Sequence, residues 1–376
     1  MILKRVKAIA NKEFIQIWRD PRSLALGIAI PVILIVLFGY ALSLDIDNVP
    51  TAVWNQDKSK ASVDFLLNFK NSRYFKIYAY YDNYRDIERD INFGRAMIGM
   101  VIPKDFSRYL DSGQQAPVQV IMDGSDSNTA QIALGYVKSV VYTYNVKIVT
   151  NALRMVGAPA VNILDLRTRV WFNQDFASKN FIVPGLIAII MMIIAALLTS
   201  LTVAREWERG TMEQLIATPV RPAELIIGKF IPYFVIGLLD LVVAVIMGKF
   251  VFDVPLRGNI FLLFILSSVF LTGALALGIY ISTVAKNQLM ASQMALLISF
   301  LPTFLLSGFT YEIFNMPTVV QALTYFIPAR YFITILRGIY LKGIGISDLW
   351  FETLCLVIFT YLATGTAIMK FKKKIA

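Results

Sequence analysis

Six stretches of the chain are empty, or nearly empty, of charge, and each is long enough to cross a lipid bilayer. Residues 23–44, 180–204, 258–285, 287–311 and 353–369 contain no Asp, Glu, Lys or Arg, and 230–248 contains only Asp240. Crossing the hydrocarbon as a helix takes ~20 predominantly apolar residues, with a usual range of ~17–25. Backbone facing lipid must satisfy its own hydrogen bonds, which leaves helices and closed barrels, and these runs lack the alternation of barrel strands. The reading is therefore an α-helical polytopic membrane protein. Its six transmembrane helices are placed at 23–44, 180–203, 226–248, 260–284, 288–308 and 352–369. Composition agrees, with 57% hydrophobic and 16% charged residues, against ~45–50% and ~25% in soluble domains.

Lys and Arg near the span ends set the orientation. One side collects Lys4, Arg5, Lys7, Lys12, Arg19, Arg22, Arg205, Arg209, Arg221, Lys286 and the tail Lys370, Lys372, Lys373 and Lys374, fourteen in all. The short loops opposite hold five: Lys249, Arg257, Arg330, Arg337 and Lys342. Both termini, including the basic tail 370–376, are expected on the cytoplasmic side. Residues 1–22 mix Ile2, Val6, Ile9, Phe14 and Ile17 with basic residues, the pattern of a helix lying along the inner membrane surface.

Residues 45–179 form one hydrophilic block between the first two spans, expected on the outer, periplasmic side. The block has a net charge of +2 within a total of +11, so the basic excess belongs to the membrane flanks and no nucleic-acid surface is implied. Strand-like runs at Val49–Trp54, Phe75–Tyr81, Met97–Ile102 and Val118–Met122 alternate with helix-like runs at 59–70, 83–93 and 104–111. A long helical run follows from Ser127 to Val156. The expectation is an inserted extracytoplasmic α/β domain. The segment Asp123–Asn128 lacks the spacing and closing Glu of an EF-hand loop, and a turn with a helix cap accounts for it.

The chain has no histidine and one cysteine, Cys355, which removes His-based catalysis, His/Cys zinc sites and any intrachain disulfide. No catalytic or metal-ligating residue is assigned. The one sizeable inner loop, 204–225, predicts a short helix at about 211–217. Thr211 and Gln214 have capping-box spacing, Pro219 ends the helix, and Pro222 begins the next. Arg205, Glu206, Glu208, Arg209 and Glu213 supply charge, Met212 and Leu215 apolar contacts, and Gly210 a tight approach. An ordinary capped loop would look the same. Between spans five and six, residues 309–351 are apolar but broken by Pro317 and Pro328, which suggests re-entrant or interfacial helices at the outer face, with Arg330 and Arg337 reaching headgroups. Asp240 is the ionisable residue well inside a span, with Lys229 three turns away. It is a candidate for the translocation path, or a carboxyl satisfied by Ser267, Ser268 or Thr272 of a neighbouring span.

These residues carry a family resemblance. The chain resembles the permease subunit of type-2 ABC exporters, in the bacterial subgroup with a large outer domain between the first two spans. The matching features are Arg19-Asp20-Pro21-Arg22, the segment 169–188 leading into span two, Arg209–Leu215, Val254–Gly258, Leu306–Phe309 and Asn315-Met316-Pro317. The resemblance implies that 205–219 holds a coupling helix docking on a separate ABC ATPase subunit. It also implies a second permease subunit, identical or paralogous, and leaves room for a periplasmic adaptor beside the membrane lipids. The chain itself lacks Gly-x-x-x-x-Gly-Lys-Ser/Thr, so ATP and magnesium belong to the partner and this chain binds no cofactor. Efflux of a drug, lipid or other amphiphilic or polymeric substrate is the implied function. A membrane-anchored receptor or adhesion protein acting through 45–179 is the alternative. An intramembrane enzyme would need paired ionisable groups in the spans.

Overall fold

In a computed structural model, residues 3–21, 25–41, 47–155, 172–173 and 177–371 are described. The chain divides into two compact units, Met1–Ser43 with Arg169–Ala376, and Leu44–Thr168.

The first unit is helical. Helix α1 (Leu3–Arg19) is followed by a π-helical turn at Ala25–Ala29 and by α2 (Ile30–Ala41). Among the described residues, five helices are long and apolar enough to cross a membrane: α7 (Ser178–Glu208), α9 (Pro222–Phe250), α10 (Ile260–Ala285), α11 (Gln288–Leu306) and α14 (Trp350–Lys370). The expected first span is a shorter apolar helix, Gly27–Ala41; its flanks at 22–24 and 42–46 lie outside the described residues, as do 1–2, 156–171, 174–176 and 372–376.

Helix α7 is central and is buried along nearly its whole length from Ile182 to Glu206. Small and hydroxyl-bearing residues let α10 approach it closely. Thr199 donates to the Leu275 carbonyl at 3.0 Å, and Ser282 Oγ accepts the N–H groups of Val203 and Ala204 at 3.0 and 2.9 Å. A Cβ at Gly278 would lie 2.5 Å from the Ala196 carbonyl oxygen, so only glycine fits there. Asn259 caps α10 by accepting from Phe261 N–H at 2.8 Å, and Asn287 caps α11 by accepting from Met290 N–H at 3.1 Å.

The segment between spans five and six forms two helices, α12 (Thr318–Thr324) and α13 (Pro328–Lys342), bent by 82° at their junction. The first begins one residue after Pro317, which serves as its N-cap rather than its first turn. Helix α13 is not a surface element. Ala329, Phe332, Ile335, Leu336 and Ile339 are fully buried, and Phe332 stacks on Phe270 with centroids 4.1 Å apart.

The second unit holds a four-stranded sheet in the order β2-β1-β3-β4, with β1 (Val49–Asn55), β2 (Phe75–Tyr80), β3 (Ile98–Ile102) and β4 (Gln119–Met122). β1 pairs parallel with β2 and β3, and β3 pairs antiparallel with β4, with Val53 opposite Met100 and Met100 opposite Val120. Side chains alternate between the two faces with a period of two. Val49, Val53, Ile98, Met100 and Ile102 join a core with helices α3 (Lys60–Lys70), α5 (Phe106–Asp111) and α6 (Ser127–Met155). Ala52 and Val101 face Ile87 on α4 (Tyr84–Asn92). Asp123 Oδ1 accepts the Ser125 N–H at 2.9 Å, a local turn.

Candidate functional site

The loop between α7 and α9 contains helix α8, Thr211–Ala217. Its start differs from the capping box read from Thr211 and Gln214. Gly210 is the N-cap, with φ of +67°, a left-handed conformation that is costly for residues with a Cβ. Nothing lies within 4 Å of a Cβ built there. Backbone conformation, not tight approach, thus calls for glycine. Thr211 instead donates to the Glu206 carboxylate. At the loop's end Pro222 is the first residue of α9, and the Glu224 carboxylate accepts the Arg221 N–H at 3.1 Å.

The loop residues divide into two sets. Met212 is buried in a cluster with Val203, Leu225, Ile226, Ile279 and Phe371, and Leu215 packs half-buried against it. Both were expected to offer apolar contacts to a partner; they face the bundle because an amphipathic helix covers the nearest apolar surface. Glu206 was expected to offer charge outward. It is 4% exposed and accepts from Lys12, from Lys229 at 3.3 Å and from Thr211. Arg205, also buried, pairs with Asp20 at 3.4 Å. Glu208 is exposed yet committed, accepting the Gln288 N–H at 2.8 Å, while Lys286 sits over the Trp207 ring at 4.8 Å. The exposed members left are Arg209, Gly210, Glu213 and Gln214.

Beneath the loop lies a cluster that the sequence reading missed. Lys229 of α9 is buried and bonds Glu13 of α1 at 2.5 Å and Glu206 of α7 at 3.3 Å. Lys12 reaches Glu206 from the half-exposed side, and Arg5 lies 3.8 Å from Glu224. Gly228 lets α1 approach α9, since a Cβ there would lie 2.7 Å from the Ile9 Cβ. Helix α1 therefore packs on protein through Val6, Ala10, Glu13 and Ile17, while Phe14, Ile15 and Trp18 point outward. One signal was available: Lys229 falls inside the span placed at 226–248, where a charge needs a partner.

Asp240 is 5% exposed, and its Oδ2 has no hydrogen-bond partner among the described residues. The neighbouring-span hydroxyls do not answer it. Ser268 and Thr272 each donate to carbonyls of their own helix at 2.7 Å, and buried Ser267 Oγ is unpaired. Arg330 bonds Thr324 and lies over the Tyr325 ring at 3.9 Å. Arg337, expected to reach headgroups, turns towards the bundle. Its guanidinium lies 3.5 Å from the Phe181 centroid and donates to the Gly308 carbonyl at 3.3 Å, with Nε and Nη2 buried. Position 337 lies on the buried face of α13.

The family model for ABC-2 family transporter protein matches residues 21–369. The chain belongs to the ABC-2 transporter family. Within this family it is similar to the probable multidrug ABC transporter permease YbhS of Escherichia coli K12, with 38% identity over 99% of this chain and 98% of that protein. It is similar to the probable multidrug ABC transporter permease YbhR of the same strain, with 30% identity over 99% of each. A more distant relative is ABC transporter G family member 20 of Dictyostelium discoideum, 23% identical over 99% of this chain and 51% of that protein. This ABC-2 chain is a multi-pass exporter permease subunit, not an enzyme. ATPase activity belongs to a separate subunit, and the family implies a dimeric arrangement.

Proposed function

We propose that residues 205–219 form the coupling element of the permease. Its docking surface is the exposed set Arg209, Glu213 and Gln214, and its inner set transmits the load. The single observation carrying this is the split of α8 between a face anchored through Met212 to three spans and an exposed charged face. Pushing on such a helix loads α7, α9 and α10 together, because Met212 shares one buried cluster with residues of all three. The Lys229–Glu13–Glu206 cluster adds α1 to the same body.

In this reading both termini and the loop are cytoplasmic, Leu44–Thr168 lies on the periplasmic side of an inner membrane, and ATP with magnesium sits on the partner ATPase. A second permease copy or paralogue completes the path, a periplasmic adaptor can join it, and α1 rests its Phe14–Trp18 face on lipid. The substrate class is a drug or other amphiphile, as supported by the names of the two bacterial relatives. Asp240, buried with a free carboxyl oxygen, lines the route of transport.

The test is copurification of the ATPase beside ATP-dependent transport in proteoliposomes. Arg209→Glu with Glu213→Arg alters only exposed side chains, so the chain should insert normally while ATPase binding or coupled transport falls. Wild-type binding and transport would make the loop a connector. Asp240→Asn should cut efflux with assembly intact; normal efflux would leave Asp240 a structural role.

A further inference from the structure

The unit Leu44–Thr168 contains a cavity of about 1060 Å³ lined by its aromatic core residues and by the 137–149 stretch of helix α6. The size is at the upper end of small-molecule pockets, ~300–1,000 Å³. Its floor is made by Phe65, Phe69, Met100 and Phe106, with Tyr144 at one side. These rings brace one another: Phe65 lies 5.2 Å from Phe69, 5.6 Å from Phe106 and 5.1 Å from Tyr144 between centroids. A wall of interlocked aromatic rings cannot close by simple rotamer change, so the space is built rather than incidental.

Helix α6 shows where the core stops short. Its inward stripe runs through Ala133, Val137 and Tyr144, which are buried, and continues at Ile148 and Val149, which line the cavity with Val149 exposed. Polar groups are confined to Gln114, Gln115, Lys138 and Asn145 beside the Tyr142 and Tyr144 hydroxyls. Among the described residues, Lys138, itself exposed, is the single charged side chain in the lining, no carboxylate lines it, and the three amides each carry N–H donors. Apolar walls with one cation and several donors match an apolar body carrying a negative head.

We infer that this cavity binds an anionic amphiphile of the fatty-acid class, its tail against the Phe65–Phe69–Phe106 wall and its head near Lys138. The site requires neither ATP nor transport, so its fate is separate from that of the coupling loop.

The experiment uses the full chain in lipid nanodiscs with photoreactive palmitate, and maps the labelled peptides. Labelling is expected within residues 65–69, 100–120 and 137–149, and should be displaced by excess palmitate. Lys138→Glu should reduce it about fivefold, the scale of one lost charge contact, while labelling by the matching photoreactive palmityl alcohol persists. Val137→Trp fills the cavity and should abolish both. Ile148→Trp blocks it from a half-buried position and should do the same if Val137→Trp fails to fold. Label confined to the spanning helices, or unchanged by Ile148→Trp, overturns the site. Equal labelling by acid and alcohol in wild type and Lys138→Glu overturns the anionic head. Cross-links from the cavity to residues 156–171 or to a second copy, with no palmitate labelling, show that protein fills the space and also overturn the proposal.

Discussion

Lys229 meets two carboxylates, Glu13 and Glu206, in a place where all three side chains are at most 5% exposed. Burying three charges together is tolerable only while each has its partners; removing one leaves the others uncompensated, at ~3–5 kcal/mol. Lys229→Met should therefore lower the unfolding temperature of the purified permease strongly. Adding Glu13→Gln and Glu206→Gln to it should recover part of the loss, because neutral groups are cheaper to bury. A single change as damaging as the triple one would show that packing, not charge, holds the site. Asp90 in the second unit is a buried carboxylate held mainly by hydroxyls, with the Arg95 guanidinium 3.7 Å away. The Tyr78 and Tyr81 hydroxyls both donate to its Oδ2 at 2.5 Å and hold its pKa below the ordinary 3.8. A depressed folded pKa means stability fully present above the unfolded value and lost as pH falls through the folded one. Hydrogen exchange over residues 49–102 should rise as pH drops below about 4, after correction for the intrinsic rate, and Asp90→Asn should flatten that dependence. An unchanged profile in the variant would remove Asp90 as its source.

Helices in this family member meet through small residues, and the tightest meeting is α7 with α10. A Cβ at Gly278 would lie 2.0 Å from Thr199 Oγ1 and 2.5 Å from the Ala196 carbonyl oxygen. Gly278→Ala must push two spans apart, and overpacking of this kind costs ~1–3 kcal/mol. The expected outcome is lower thermal stability in micelles, partly restored by Thr199→Ala, which removes the hydroxyl oxygen that the new methyl would meet. Wild-type stability would mean that the helices slide freely. Gly210 is a different case, since no atom crowds it and only its positive φ demands glycine. Gly210→Ala should cost ~1–2 kcal/mol in the loop while insertion of the spans stays normal, read by ATPase copurification against membrane yield.

For the whole molecule, the fourteen-to-five distribution of Lys and Arg gives a topology that labelling can check. In a Cys355→Ser background, Ser125→Cys should react with an impermeant thiol reagent in intact spheroplasts, and Thr218→Cys only after lysis. Both positions are exposed in their units, so protection reports the membrane rather than burial. Reaction at Thr218→Cys with protection of Ser125→Cys would invert the topology.

Charge-free stretches, proline and glycine punctuation, and alternation in 49–122 were legible along the chain because they are local. Five spans, the strand order of appearance and the extent of α8 follow from hydropathy period and breakers acting within a few residues. What the sequence could not decide is which way each polar side chain points once helices are assembled. Glu206 and Glu213 look alike in the loop, yet one is buried against Lys229 and the other is exposed. Glu13 and Lys229 are 216 residues apart, and nothing local to either announces the other. Arg337 read as a headgroup contact until α13 packed into the bundle and placed its guanidinium on Phe181. Membership of an apolar span is a property of one segment's transfer free energy, whereas pairing depends on which helices pack together, and only the tertiary fold brings those partners within a few ångströms.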